Sequence, residues 1–235
     1  MKKIIICLIA TIALGFLATK TTMAGPGPSK TLGTGASITD SAPELDIAVL
    51  KFDGITPNLN NPWTTPGVQI LTGTPNLAFG QLVHTYLDNS GNTKDAGVWY
   101  SKVVYMVSVY ASGFGKRYQI TSTCAGLGSI PASAFVLTPV YADGDRYQYP
   151  DGTFSPAQGP LRSGASVGSA GSAVGTNKLI YQSETPGTAA ILQSWYSIPT
   201  KKADGSDPYS GWVGIPLTQT PGNYSGNVVI SISAI

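Results

Sequence analysis

His84, in the stretch GQLVHTYLDN, is the only histidine in the 235 residues. Any Ser-His-Asp or Cys-His mechanism would have to pass through it. It falls at the end of an apolar run with no nucleophile motif beside it, so it reads as a surface or strand-end residue. One imidazole rules out a multi-histidine metal centre, and His84 with Cys124 falls short of a zinc ligand set. Carboxylates are the remaining route to catalysis. Glu44 and Glu184 are the only glutamates, while Asp143, Asp145 and Asp151 lie close together in DGDRYQYPDG. Paired carboxylates can serve as the acid and base of a glycosidase, and oxygen-rich spacing can hold calcium. This stretch lacks the downstream acidic ligand of a calcium loop, so a solvated turn is expected. No cofactor is implied. A binding surface is harder to dismiss than a catalytic one: Tyr147 and Tyr149 are candidate ligand contacts, since aromatic faces stack on sugar rings, with core or rim packing as the alternative. Trp99 and Trp195, in VWY and SWYSI, sit at strand ends where aromatics pack cores.

The segment before these residues bears on compartment. Lys2 and Lys3 precede an apolar run from Ile4 to Leu17, and Thr22-Met23-Ala24 stands before Gly25. This is the charged start, apolar centre and small-residue site of a secretory signal, expected to span residues 1–24. The run is shorter than the roughly 20 apolar residues of a spanning helix, so no transmembrane segment is expected after cleavage. Losing Lys2, Lys3 and Lys20 leaves 11 of the 14 basic residues against 12 acidic ones, a formal balance of −1. A chain without net positive charge has no electrostatic reason to seek nucleic acid. Cys7 leaves as well, so Cys124 has no intramolecular partner for a disulfide and reads as a buried small apolar residue.

The elements that must position these residues read as strands. Glycine and proline, 28 and 17 in number, punctuate the chain too often for long helices. ELDIAVLKFDG, VQILTG, NLAFGQLVH, KRYQITSTC, AFVLTPVYA, LIYQS, AAILQSWYSI and WVGIPL are the expected strands. VWYSKVVYMVSVYASG at 98–113, apolar on both faces, is expected as one central strand. Residues 143–178 form a long Gly-, Ser- and Pro-rich loop. The expectation is an all-β fold: an antiparallel β-sandwich of immunoglobulin or pilin-like type, with about nine or ten strands. It would occupy residues 41–235 behind a flexible leader at 25–40.

The last residues, PGNYSGNVVISISAI, alternate with Val228, Ile230 and Ile232 on one face and Val229, Ser231 and Ser233 on the other. That is the period of a half-buried strand, with Tyr224 expected on the inward side. Gln219, Gly222, Tyr224 and the final alternating strand resemble the closing segment of spore coat protein U-like and pilin-like domains. LAFGQL at 77–82 is similar to an early Phe-Gly strand of the same group. The cysteines common in those families are absent here.

The resemblance implies an exported structural or adhesive subunit of the cell surface. Its partners would be copies of itself, other surface subunits or a periplasmic chaperone, joined by strand complementation. Tyr224, Val228, Ile230 and Ile232 are then the candidate assembly strand. Leu32, Thr34, Ala36 and Ile38 are the candidate donor segment, against the alternatives of a disordered leader or a first strand pairing within its own domain. Two further readings stay open: a monomeric secreted carbohydrate-binding adhesin, and a secreted hydrolase with unrecognised carboxylates.

Overall fold

The computed structural model describes residues 29–32, 44–58, 61–73, 75–112, 115–141, 147–148, 154–155, 166–167, 171–186, 189–202 and 204–235. In chain order its strands begin with β1 (Ser29–Leu32), β2 (Glu44–Asp53), β3 (Gln69–Leu71), β4 (Val83–Leu87), β5 (Thr93–Tyr100) and β6 (Val103–Ser112). Then come β7 (Tyr118–Thr123), β8 (Gly126–Leu127), β9 (Ile130–Pro131), β10 (Val136–Tyr141), β11 (Tyr147–Gln148) and β12 (Phe154–Ser155). The series closes with β13 (Ser166–Val167), β14 (Ser172–Ala173), β15 (Lys178–Gln182), β16 (Ala190–Ser197) and β17 (Val228–Ala234).

The fold is an all-β sandwich of two antiparallel sheets. One has the order β1-β17-β7-β15-β13, the other β14-β10-β16-β6-β2-β3. β15 lies over β10 and β16, and β1 over β2. The core sits between the sheets because alternation gives each strand an apolar face. Ile230, Ile120 and Ile180 from one sheet and Val49, Val107 and Leu192 from the other are all fully enclosed. Burying one such side chain is worth about 1.5–3 kcal/mol, so this layer supplies the main driving force.

β6 is buried on both sides, since its outer face is roofed by a second cluster in which Trp63 covers Leu50, Phe52 and Met106. Trp63 is placed there by the short 3-10 turn Pro62–Thr64, with proline at its first position. Trp195 joins the same face and stacks on Phe52 with ring centroids 5.5 Å apart.

Several sequence expectations change. The run 98–113 is two strands, because the chain breaks at Ser101 and Lys102. The Ser101 amide donates to Ile198 O (3.0 Å) and its hydroxyl to Phe79 O (2.7 Å), both outside a ladder. WVGIPL forms no strand, only a single bridge from Ile215 to Trp99. Within NLAFGQLVH the strand begins at Val83, and 75–82 is irregular. The leader contains a paired segment: Ser29 to Leu32 ladder antiparallel onto Ser231 to Val228. Composition marked this stretch as loose, but an open sheet edge pairs with any backbone that can extend beside it. The 143–178 loop contributes the two-residue strands β11 to β14, of which β13 and β14 each close one sheet edge.

Candidate functional site

LAFGQL and the Gln219–Tyr224 segment, far apart in the chain, form two walls of one cleft of about 610 Å3. Its floor includes Leu127 and Ile130 of the β8–β9 hairpin, together with Ile198 and Ile215. Both walls run outside the ladders, so each is held in place by side chains.

The first wall is anchored at Phe79. Its ring is buried and packs edge-on against Tyr105 at 5.2 Å and Phe135 at 5.1 Å. The Tyr105 hydroxyl donates to Ala78 O (2.6 Å) and the Ser101 hydroxyl to Phe79 O (2.7 Å), so two carbonyls without ladder partners are satisfied from beneath. Burial pushes the Tyr105 phenol up to about 12, which keeps it a donor at any ordinary pH. Gly80 then turns the chain with φ +66, a backbone region that side chains rarely enter. The Phe-Gly pair is thus an anchor followed by a corner.

The second wall closes on itself. The Gln219 amide nitrogen donates to Tyr224 Oη (3.0 Å) and to Ser129 Oγ (3.2 Å), and the Tyr224 hydroxyl donates back to Thr220 O. A tyrosine hydroxyl bonded to backbone a few residues upstream is the device that fixes corners in other β-sandwiches. Gly226 is required by space: a Cβ there would come within 2.1 Å of the Gly126 carbonyl oxygen. The spacing of Gln219 and Tyr224 therefore has a mechanical cause, whereas a Cβ at Gly222 would meet only ordinary contacts with the Tyr224 ring at 3.9 Å.

Trp99 lines the cleft between the walls. Its amide donates to Ile215 O (2.9 Å) and its indole nitrogen to Leu217 O (3.4 Å), which ties β5 to the second wall. His84 packs edge-on against Trp99 at 4.9 Å, and its Nδ1 lies 3.6 Å from Asp95 Oδ1. The Asp95 carboxyl is held below its usual range, first by the Gly97 amide and then by His84. Among the described residues, no serine, threonine or cysteine hydrogen-bonds to His84 to complete this pair. The described residues lining the cleft include no Asp, Glu, Lys, Arg, His or Cys, so the site can bind but offers no carboxylate, imidazole or thiol for catalysis.

The remaining candidate residues are scattered. Val228, Ile230 and Ile232 are buried in β17, Ser231 and Ser233 are half-buried, and Tyr224 precedes the strand in the cleft wall. Leu32 pairs with Val228 in β1, while Thr34, Ala36 and Ile38 lie outside the described residues. Tyr147 enters the β11 ladder opposite Ser155. Tyr149, Asp143, Asp145, Asp151 and residues 1–24 lie outside the described residues. Cys124 is buried, its thiol pushed up by desolvation, with its sulfur 3.4 Å from the Gly126 amide nitrogen.

GASVG at 164–168 spells a Gly-x-Ser-x-Gly pattern. Its Ser166 stands in β13 opposite Gln182, in a ladder and not on the strand-to-helix turn that a nucleophile elbow requires. Among the described residues no three His, Cys, Asp or Glu side chains gather as a metal site, and no helix is long and apolar enough to cross a membrane.

Sequence reasoning missed the cleft itself. The signal was present in two separated motifs, but nothing in one sequence says that they face each other. Compared with known proteins, the chain matches no family model, no curated protein and no solved structure.

Proposed function

We propose that this chain is an exported, non-catalytic subunit of a pilus-like or coat-like surface assembly, and that copies join by exchanging β1. The reading is supported by one observation above the others: among the described residues, β1 alone pairs with the edge of β17 that faces away from β7, through the four pairs from Ser29 with Ser231 to Leu32 with Val228. Without it, β17 would present a row of free N–H and C=O groups, the kind of edge that recruits another strand. Exchange of β1 between copies restores the same bonds, so its cost is small and concentration decides the outcome. A head-to-tail exchange of this kind builds filaments where its rotation does not close, as the pilus-like reading requires. The uncharged cleft lining, poor in catalytic groups, supports the non-catalytic part.

The test is electron microscopy and light scattering of the secreted protein, with and without a peptide of residues 25–40. Assemblies should form with rising concentration and shorten when the peptide caps the β17 edge. A protein that stays monomeric at every concentration, unaffected by the peptide, contradicts the proposal.

A further inference from the structure

Independently of strand exchange, we propose that the cleft between residues 76–82 and 219–226 binds a neutral saccharide. Its lining selects by elimination. Without a charged side chain among the described lining residues, the cleft offers no ion pair to an anionic or a cationic ligand. A wholly apolar ligand is equally disfavoured, because Asn76, Gln81 and Asn223 stand in the lining with side-chain amides that make no hydrogen bond among the described residues. Covering those amides with hydrocarbon would leave their donors and acceptors unmet.

A pyranose satisfies both demands. One face of the ring is a patch of C–H groups that can lie against Trp99 and Tyr224, which share the lining with the buried Phe79. Its hydroxyls both donate and accept, which matches carboxamides carrying one acceptor oxygen and two donor hydrogens. The volume of about 610 Å3 falls within the range of small-molecule sites, about 300–1,000 Å3. The site is also built to keep its shape. The hydroxyls of Tyr105, Ser101 and Tyr224 pin the two walls, and Gly80 and Gly226 fix their corners, so little ordering is needed on binding. The first wall brings amides that no aromatic-based reading of the sequence had singled out.

The experiment uses the full secreted protein on an array of neutral hexose and N-acetylhexosamine oligosaccharides, alongside sialylated and uronate-containing ones. Calorimetry then follows the best neutral glycan. Binding should be confined to a neutral subset. The variant carrying Gln81→Ala and Asn223→Ala, both exposed positions, should melt like the parent yet bind that glycan at least about tenfold more weakly. Trp99→Phe should remove most of the tryptophan fluorescence change on binding. The proposal falls if no neutral glycan binds, if acidic glycans bind better, if the double variant binds as the parent does, or if the cleft takes a peptide of residues 31–39 instead. Strand exchange is read by assembly and not by glycan binding, so either proposal can fail without the other.

Discussion

β17 and the walls of the cleft are both extended chain, yet they are held by different means. β17 sits between β1, which pairs with its Val228–Ser231, and β7, which pairs with its Val229–Ala234, and its side chains alternate between core and half-buried surface. The stretch just before it, 219–226, and its counterpart 76–82 have no ladder. Hydroxyls from Tyr105, Ser101 and Tyr224 do for these walls what neighbouring strands do for β17. The difference is what the two proposals rest on. A laddered strand can be exchanged with an identical one, because its partners are backbone and indifferent to sequence. A wall pinned by specific hydroxyls leaves its own side chains free to face a ligand.

The sharpest way to break this contrast is to place a charge on each face of β17. Ile230→Asp should cost more than about 3 kcal/mol in a urea melt, since it forfeits about 1.5–3 kcal/mol of apolar burial and strands a carboxylate in the core. Ser231→Asp, on the half-buried face, should cost under about 1 kcal/mol. Equal costs would mean that the strand is not seated as described.

A smaller effect concerns the pinned wall. The Tyr105 phenol is pushed up to about 12 from an ordinary value of 10, chiefly by burial. The unfolded chain therefore ionises first as pH rises. Stability owed to this group is intact below pH 10 and lost between 10 and 12. Urea melts should show stability falling over that window, and a Tyr105→Phe variant should be less stable already at neutral pH and lack that share of the fall. If the variant melts as the parent does at neutral pH, the hydroxyl is not what holds the wall.

How much of this was legible in the sequence follows from the same contrast. The alternation of Val228, Ile230 and Ile232 is a period-2 signal, and ladders obey it, so the sandwich and β17 were readable from residue types. Leu77 and Phe79 mimic a strand because they alternate with exposed Asn76, Ala78 and Gly80, while the backbone is in fact turned by Gly80 and tied down from below. The break at Ser101 is likewise set by a hydroxyl reaching Phe79, a contact 22 residues away. Pairing across such distances has no local mark. β1 was hidden for the opposite reason: its pairing partner is backbone, which any extended stretch can match, whatever its composition.

The central claim is that β1 belongs to a neighbour in the assembled state. Thr31 and Val229 are registered partners, and in an antiparallel pair such residues lie about 4.5–5.5 Å apart at Cα, within reach of a disulfide. The measurement is a non-reducing gel of the assembled protein carrying Thr31→Cys and Val229→Cys. Exchange predicts a ladder of covalent multimers that collapses to one band on reduction. A single monomeric band with the disulfide closed inside one chain, from material that microscopy shows to be assembled, would contradict the account.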